Sequence, residues 1–115
     1  MIAGTSYVTT VTSRSEFDKA ISQTGKVVIV DFTATWCGPC QRISPLFQVI
    51  AERHTQKAIF LKIDVDNFPE LVEKFGVHAM PTFIAFKHGQ KKDMFIGAQE
   101  DQLTDFIERL VVQDS

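Results

Sequence analysis

Apolar residues follow two alternating rhythms along this chain. The run Val27-Val28-Ile29-Val30-Asp31-Phe32 is broken by a single polar residue, as expected of a strand covered on both faces. Behind it, Phe17, Ala20 and Ile21 recur at helical spacing. Ser13-Arg14-Ser15-Glu16 opens that helix as a capping box, with Ser13 as N-cap and Glu16 reaching back, and Gly25 closes it. Residues 8–11 read as a short first strand. Further along, Ile43, Leu46, Phe47 and Ile50 mark the buried face of a helix ending near His54. Pro45 lies inside it and is expected to kink it, because proline lacks the N–H and crowds the preceding turn.

The second half repeats the alternation and then departs from it. Residues 58–65 read as a third strand, and Leu71, Val72 and Phe75 as a short helix closed by Gly76. Residues 82–87 and 91–96 form two strands around a turn at His88-Gly89-Gln90. Leu103, Phe106, Ile107, Leu110 and Val111 face one side of a last helix. The order is βαβαβα followed by ββα. Alternation implies right-handed parallel crossovers, and the hairpin adds an antiparallel edge. The expected fold class is α/β: a three-layer α/β/α sandwich on a mixed five-stranded sheet. With no internal repeat, low-complexity stretch or linker, residues 1–115 read as a single domain.

Composition narrows the function classes. Apolar residues at 44% and charged ones at 23% are ordinary globular values, and ten phenylalanines point to an aromatic core. The net charge of -2 offers no basic footprint for nucleic acid or an anionic membrane. No segment approaches the roughly 18 unbroken apolar residues of a membrane span. Met1 to Tyr7 lack the charged and apolar regions of a signal peptide, and a second cysteine pair is missing. Both features favour a reducing, cytoplasmic setting.

Both cysteines fall in Trp36-Cys37-Gly38-Pro39-Cys40, between the central strand and an amphipathic helix. A cysteine at a helix N-terminus faces free backbone N–H groups and the positive end of the macrodipole, which favour thiolate over thiol. Two cysteines so spaced can close and reopen a small disulfide, and they sit where open α/β sheets place their sites. Three other readings compete. Structural zinc needs a second ligand pair, and His54, His78 and His88 lack the spacing for one. A purely structural staple here closes too short a loop to restrain the unfolded chain much. Inert buried thiols fit poorly with Gly38-Pro39, which implies an exposed turn.

Val30-Asp31-Phe32, Trp36-Cys37-Gly38-Pro39-Cys40, Pro45, Lys62-Ile63-Asp64, Met80-Pro81-Thr82-Phe83 and Gly97 resemble the thioredoxin family in order and spacing, over about residues 8–112. The resemblance implies a protein disulfide reductase and electron carrier acting through a mixed disulfide. Cys37 is then the attacking thiolate and Cys40 the resolving thiol, while Gly38 and Pro39 resemble the spacer of reducing members. It also implies a cis Pro81, with the Met80 backbone pairing to an extended substrate strand. Trp36, Gly97 and Ala98 complete that docking groove; without the resemblance they read as core filler and a helix lead-in. Asp31 is expected to be buried behind Cys40 as its proton acceptor, with Lys62 meeting it from the next strand. His78, Asp64 and Asp66 read as plain surface residues.

No bound cofactor or metal is expected, only a reversible Cys37–Cys40 disulfide re-reduced by an NADPH-dependent flavin reductase, thioredoxin reductase. The expected substrates are disulfide-containing proteins such as peroxiredoxins and reductases, met by a monomer. Two rivals remain: a binding module that uses the groove with incidental redox chemistry, and an oxidase or isomerase, against which Gly38-Pro39 argues. The chain departs from the family pattern at two positions. Thr33 stands where many members have an aromatic residue, and Gln41 where a basic residue commonly follows the second cysteine.

Overall fold

A computed structural model describes residues 6–23 and 25–113. Within it the chain runs β1 (Thr9–Thr10), α1 (Arg14–Ile21), β2 (Val27–Thr33), α2 (Gly38–Arg53), β3 (Ala58–Asp64), a 3-10 turn (Val65–Asn67), α3 (Pro69–Phe75), β4 (Thr82–Lys87), β5 (Gln90–Ile96) and α4 (Glu100–Gln113). The strands form one five-stranded sheet of order β1-β3-β2-β4-β5. β1 and β2 both run parallel to β3, whereas β4 runs antiparallel to β2 and β5 to β4. This is the thioredoxin fold, with helices on both faces of a mixed sheet.

Strand parity divides the core in two. Val28, Val30 and Phe32 point to the face covered by α1 and α3, where Phe86 meets Phe17 and Phe75 edge to face and those two rings pack at a tilt. Val27 and Ile29 point to the other, packed by Ile43, Phe47 and Ile50 of α2 and by Leu103, Phe106 and Ile107 of α4. Phe83 joins Phe47 to Phe95 on that side. The central strand is apolar on both sides because each side meets a helical layer.

Element ends differ from expectation by small, explicable amounts. β1 is reduced to Thr9–Thr10 at the sheet edge. Ser13 caps α1, its hydroxyl accepting the Glu16 N–H at 3.1 Å, while the Glu16 carboxylate reaches back to the Thr12 N–H. α1 stops at Ile21, before Gly25, which turns into β2 at φ +83°. The hairpin turn is His88-Gly89 alone, since Gln90 already pairs with Lys87. Both turn residues have positive φ, the twist that suits a two-residue hairpin. α2 runs on through Pro45, whose missing N–H leaves the Gln41 carbonyl without its helical donor.

Candidate active site

Where β2 ends, the chain folds back on itself: the Cys37 N–H donates to the Ala34 carbonyl at 3.2 Å. This turn sets Cys37 as the N-cap of α2 in an extended conformation, with its Sγ accepting the Cys40 N–H at 3.2 Å. Pro39 occupies the first helical turn, where an N–H would have no partner. The two sulfurs are joined as a disulfide, with Cα atoms 5.3 Å apart. Cys37 is 6% exposed and Cys40 1%, so the expected order holds, but both are largely covered in this oxidised state. The projecting group is Trp36, at 65% exposure.

Asp31 follows the parity of Val27 and Ile29 and lies beneath the helix that carries the cysteines. Its carboxyl is 2% exposed, and Oδ1 has no hydrogen-bond partner. Lys62 stands opposite it on β3. Burial pushes the Asp31 pKa from an ordinary 3.8 up to about 7, against an opposing pull from the Lys62 ammonium. A cleft of about 270 Å³ opens beside it, lined by Thr33, Cys40, Gln41, Ser44 and Lys62 among others. Cys40, Lys62 and the small Thr33 all border this cleft.

On the other side of the turn, the Met80–Pro81 bond is cis. Met80 packs against the core cluster that holds both cysteines. The Gly97 N–H donates to the Pro81 carbonyl at 3.0 Å, which ties the loop before α4 to the start of β4. Gly97 has φ +124°, and a Cβ there would run into the Gln99 side chain. Ala98 packs toward the α2–α4 core. Among the described residues, no three His, Cys, Asp or Glu side chains gather into a metal site.

Two residues make contacts here that sequence reasoning did not foresee. Asp66, read as a surface acid, accepts the Trp36 indole N–H at 2.9 Å. Gln41 donates its side-chain amide to the Ala34 carbonyl at 3.1 Å, the same oxygen that takes the Cys37 N–H. Neither contact has a signature in spacing, since each depends on how the turn folds onto its neighbours.

A Cys-x-x-Cys disulfide that caps the helix after the central strand, in a sheet that also holds a cis Met80–Pro81 bond and a buried Asp31, defines a thiol–disulfide oxidoreductase. The thioredoxin family model matches residues 8–109. Thioredoxin 1 of Plasmodium falciparum is 46% identical over 99 residues, covering 86% of this chain and 93% of that protein. The crystal structure of Malassezia sympodialis thioredoxin superposes with a TM-score of 0.86 at 37% identity, covering 96% of each chain. The solution structure of oxidised Plasmodium falciparum thioredoxin gives 0.83 at 45% identity, covering 90% of this chain and 98% of that one. The chain belongs to the thioredoxin family, whose members reduce protein disulfides.

Proposed function

We infer that Cys37 and Cys40 carry this chain's disulfide reduction in two steps. The Cys37 thiolate attacks one sulfur of a substrate disulfide, and the displaced substrate thiolate takes up a proton. Cys40 then gives its proton to the Asp31 carboxylate, directly or through one water, and attacks the Cys37 sulfur. The second substrate thiol leaves, and two electrons have passed from the dithiol to the substrate. The Cys37–Cys40 disulfide that remains is the form described above. Gly38 and Pro39 set the tightness of that ring, and Lys62 tempers the Asp31 proton affinity. Trp36, Met80, Pro81, Gly97 and Ala98 form the surface on which an extended substrate strand lies. The observation that carries this reading is Cys37 as the N-cap of α2, with a buried carboxyl under the helix.

The dithiol is restored by thioredoxin reductase, an NADPH-dependent flavoprotein, and the electrons go to disulfide proteins such as peroxiredoxins and reductases. The setting is a reducing, cytoplasmic one and the working unit a monomer. No helix among the described residues is long and apolar enough to cross a membrane. Turbidity of insulin with dithiothreitol tests the reaction: a reductase accelerates precipitation, whereas a mere binding module leaves it near the uncatalysed rate. Equilibration with glutathione buffers tests the direction. A potential as high as those of oxidising relatives overturns the reductant assignment.

A further inference from the structure

The topology sorts charged residues that the order of the sequence scatters. Residues 22–26 and 54–57 lead into β2 and β3, and residues 87–91 carry the β4–β5 turn, all at the end of the sheet away from the disulfide. These three segments hold Lys26, Lys57, Lys87 and Lys91 and no aspartate or glutamate. Lys26 and Lys57 precede Val27 and Ala58, which are register partners on neighbouring parallel strands. The Gly89 N–H donates to the Ile21 carbonyl at 2.8 Å, which brings the hairpin turn onto the end of α1. Lys57 and Lys91 are exposed, and among the described residues neither enters an ion pair. The acids at this end of the flanking helices are Glu52 and Glu108, and Glu108 is held by Arg53 and His54. The disulfide end has the opposite charge. Residues 33–37, 64–70, 76–81 and 97–101 hold Asp64, Asp66, Glu70, Glu100 and Asp101 and no lysine or arginine. The net charge of -2 is the sum of these unlike ends, which is why composition alone shows no basic footprint.

We propose that the basic end rests on an anionic phospholipid surface, with the disulfide end turned away from it into solution. The proposal concerns where the chain is held and does not rest on the reductase reading. Strands of six or seven residues put about 20 Å between the two ends. The Debye length at physiological ionic strength is about 8 Å, so a surface that meets the lysines is screened from the acids beyond them. The charged groups of the three segments are lysines, compact charges that suit a diffuse array of lipid phosphates. They contain neither an arginine, whose fork reads base edges, nor an aromatic ring on which bases stack. A lipid surface therefore fits this end better than a nucleic acid does.

The test sediments the whole chain with vesicles of phosphatidylcholine, alone or mixed in equal parts with phosphatidylserine. Binding to the mixed vesicles should exceed binding to phosphatidylcholine by about fivefold for each lysine engaged. The excess should disappear near 1 M salt, where the Debye length is about 3 Å. Replacing Lys26, Lys57 and Lys91 together by glutamine should weaken binding to the mixed vesicles by about a hundredfold. Replacing Arg14, Arg42 and Lys74 by glutamine makes the same change in net charge on the helices and should leave binding in place. Trp36, the only tryptophan, projects from the disulfide end at 65% exposure, so brominated lipids should not quench its fluorescence. Equal binding to both kinds of vesicle overturns the proposal. So does a loss in the helix variant as large as in the loop variant, which would trace binding to overall charge. Quenching of Trp36 on the mixed vesicles would place the disulfide end on the lipid and overturns it too. Tighter binding to duplex DNA than to the mixed vesicles, at equal phosphate concentration, overturns it in favour of a nucleic acid.

Discussion

Asp31 and Lys62 stand opposite each other on adjacent parallel strands, yet Asp31 Oδ1 has no hydrogen-bond partner. Lys62 lowers the Asp31 pKa through its charge, but desolvation outweighs it, and the carboxyl titrates near 7. Folding therefore costs free energy whenever Asp31 is ionised. An acid with a raised folded pKa binds more protons folded than unfolded. Stability is then greatest below about pH 4 as far as this group is concerned, and it falls as pH climbs through about 7. At about 1.4 kcal/mol per pH unit, the interval from 3.8 to about 7 sets an upper bound of roughly 4.5 kcal/mol above pH 8.

Asp31→Asn removes that cost. In the oxidised protein, the urea midpoint of the variant should exceed the wild type's at pH 8, and the gain should vanish near pH 4. The same variant should reduce insulin more slowly, because Cys40 loses its proton acceptor. A variant that is less stable at pH 8 and fully active would sink both the linkage and the role. Lys62→Met should shift the wild-type pH–stability curve to higher pH, since the opposing charge is gone.

Cys40→Ser should turn the protein into a trap. With no resolving thiol, the mixed disulfide on Cys37 has no internal route to break, so partners should accumulate covalently. Cys37→Ser should trap almost nothing. In the reduced wild type, iodoacetamide should label Cys37 in preference to Cys40, which is the deeper of the two here. Equal partner yields from the two variants on a non-reducing gel, or preferential labelling of Cys40, would reverse the roles.

The fold was legible wherever burial has a sequence period. The unbroken run before Asp31 announced a two-sided strand, and the 43, 46, 47, 50 spacing announced the helix that carries the cysteines. Asp31 was legible for the same reason, as the one polar break in that run. Asp66 and Gln41 were not. Their roles arise where the turn after β2 meets the loop after β3 and the first turn of α2, and no local rhythm records that meeting. The size of the Thr33 cleft was hidden too, since a small residue shows that space is available but not whether neighbours fill it.

Thr33→Trp should be tolerated. Thr33 is half-buried and lines an open cleft of about 270 Å³, so an indole has space to enter. The thermal midpoint should hold or rise, in contrast to the loss of about 1–3 kcal/mol that overpacking brings. The ring would also cover Lys62, and Asp31 should then titrate at still higher pH. A clear fall in midpoint would mean that the walls of the cleft do not yield to the ring.

Gln41 gives the most local test of how the turn is held. Its amide shares the Ala34 carbonyl with the Cys37 N–H, so one oxygen fixes both the turn and the first helical turn after it. Gln41→Ala removes one of these two bonds and should cost about 0.5–1.5 kcal/mol of stability. Because the remaining Cys37 bond must hold the turn alone, Cys37 should be alkylated at a different rate at every pH, with the midpoint of its pH profile little changed. Gln41→Lys restores the basic residue common in the family. A cation there favours the Cys37 thiolate, so the midpoint of the alkylation profile should move to lower pH. Measuring iodoacetamide rates against pH for all three proteins separates the two effects. If Gln41→Ala moves the midpoint as far as Gln41→Lys does, the amide acts on the thiolate electrostatically, and its assignment as a clamp on the turn fails.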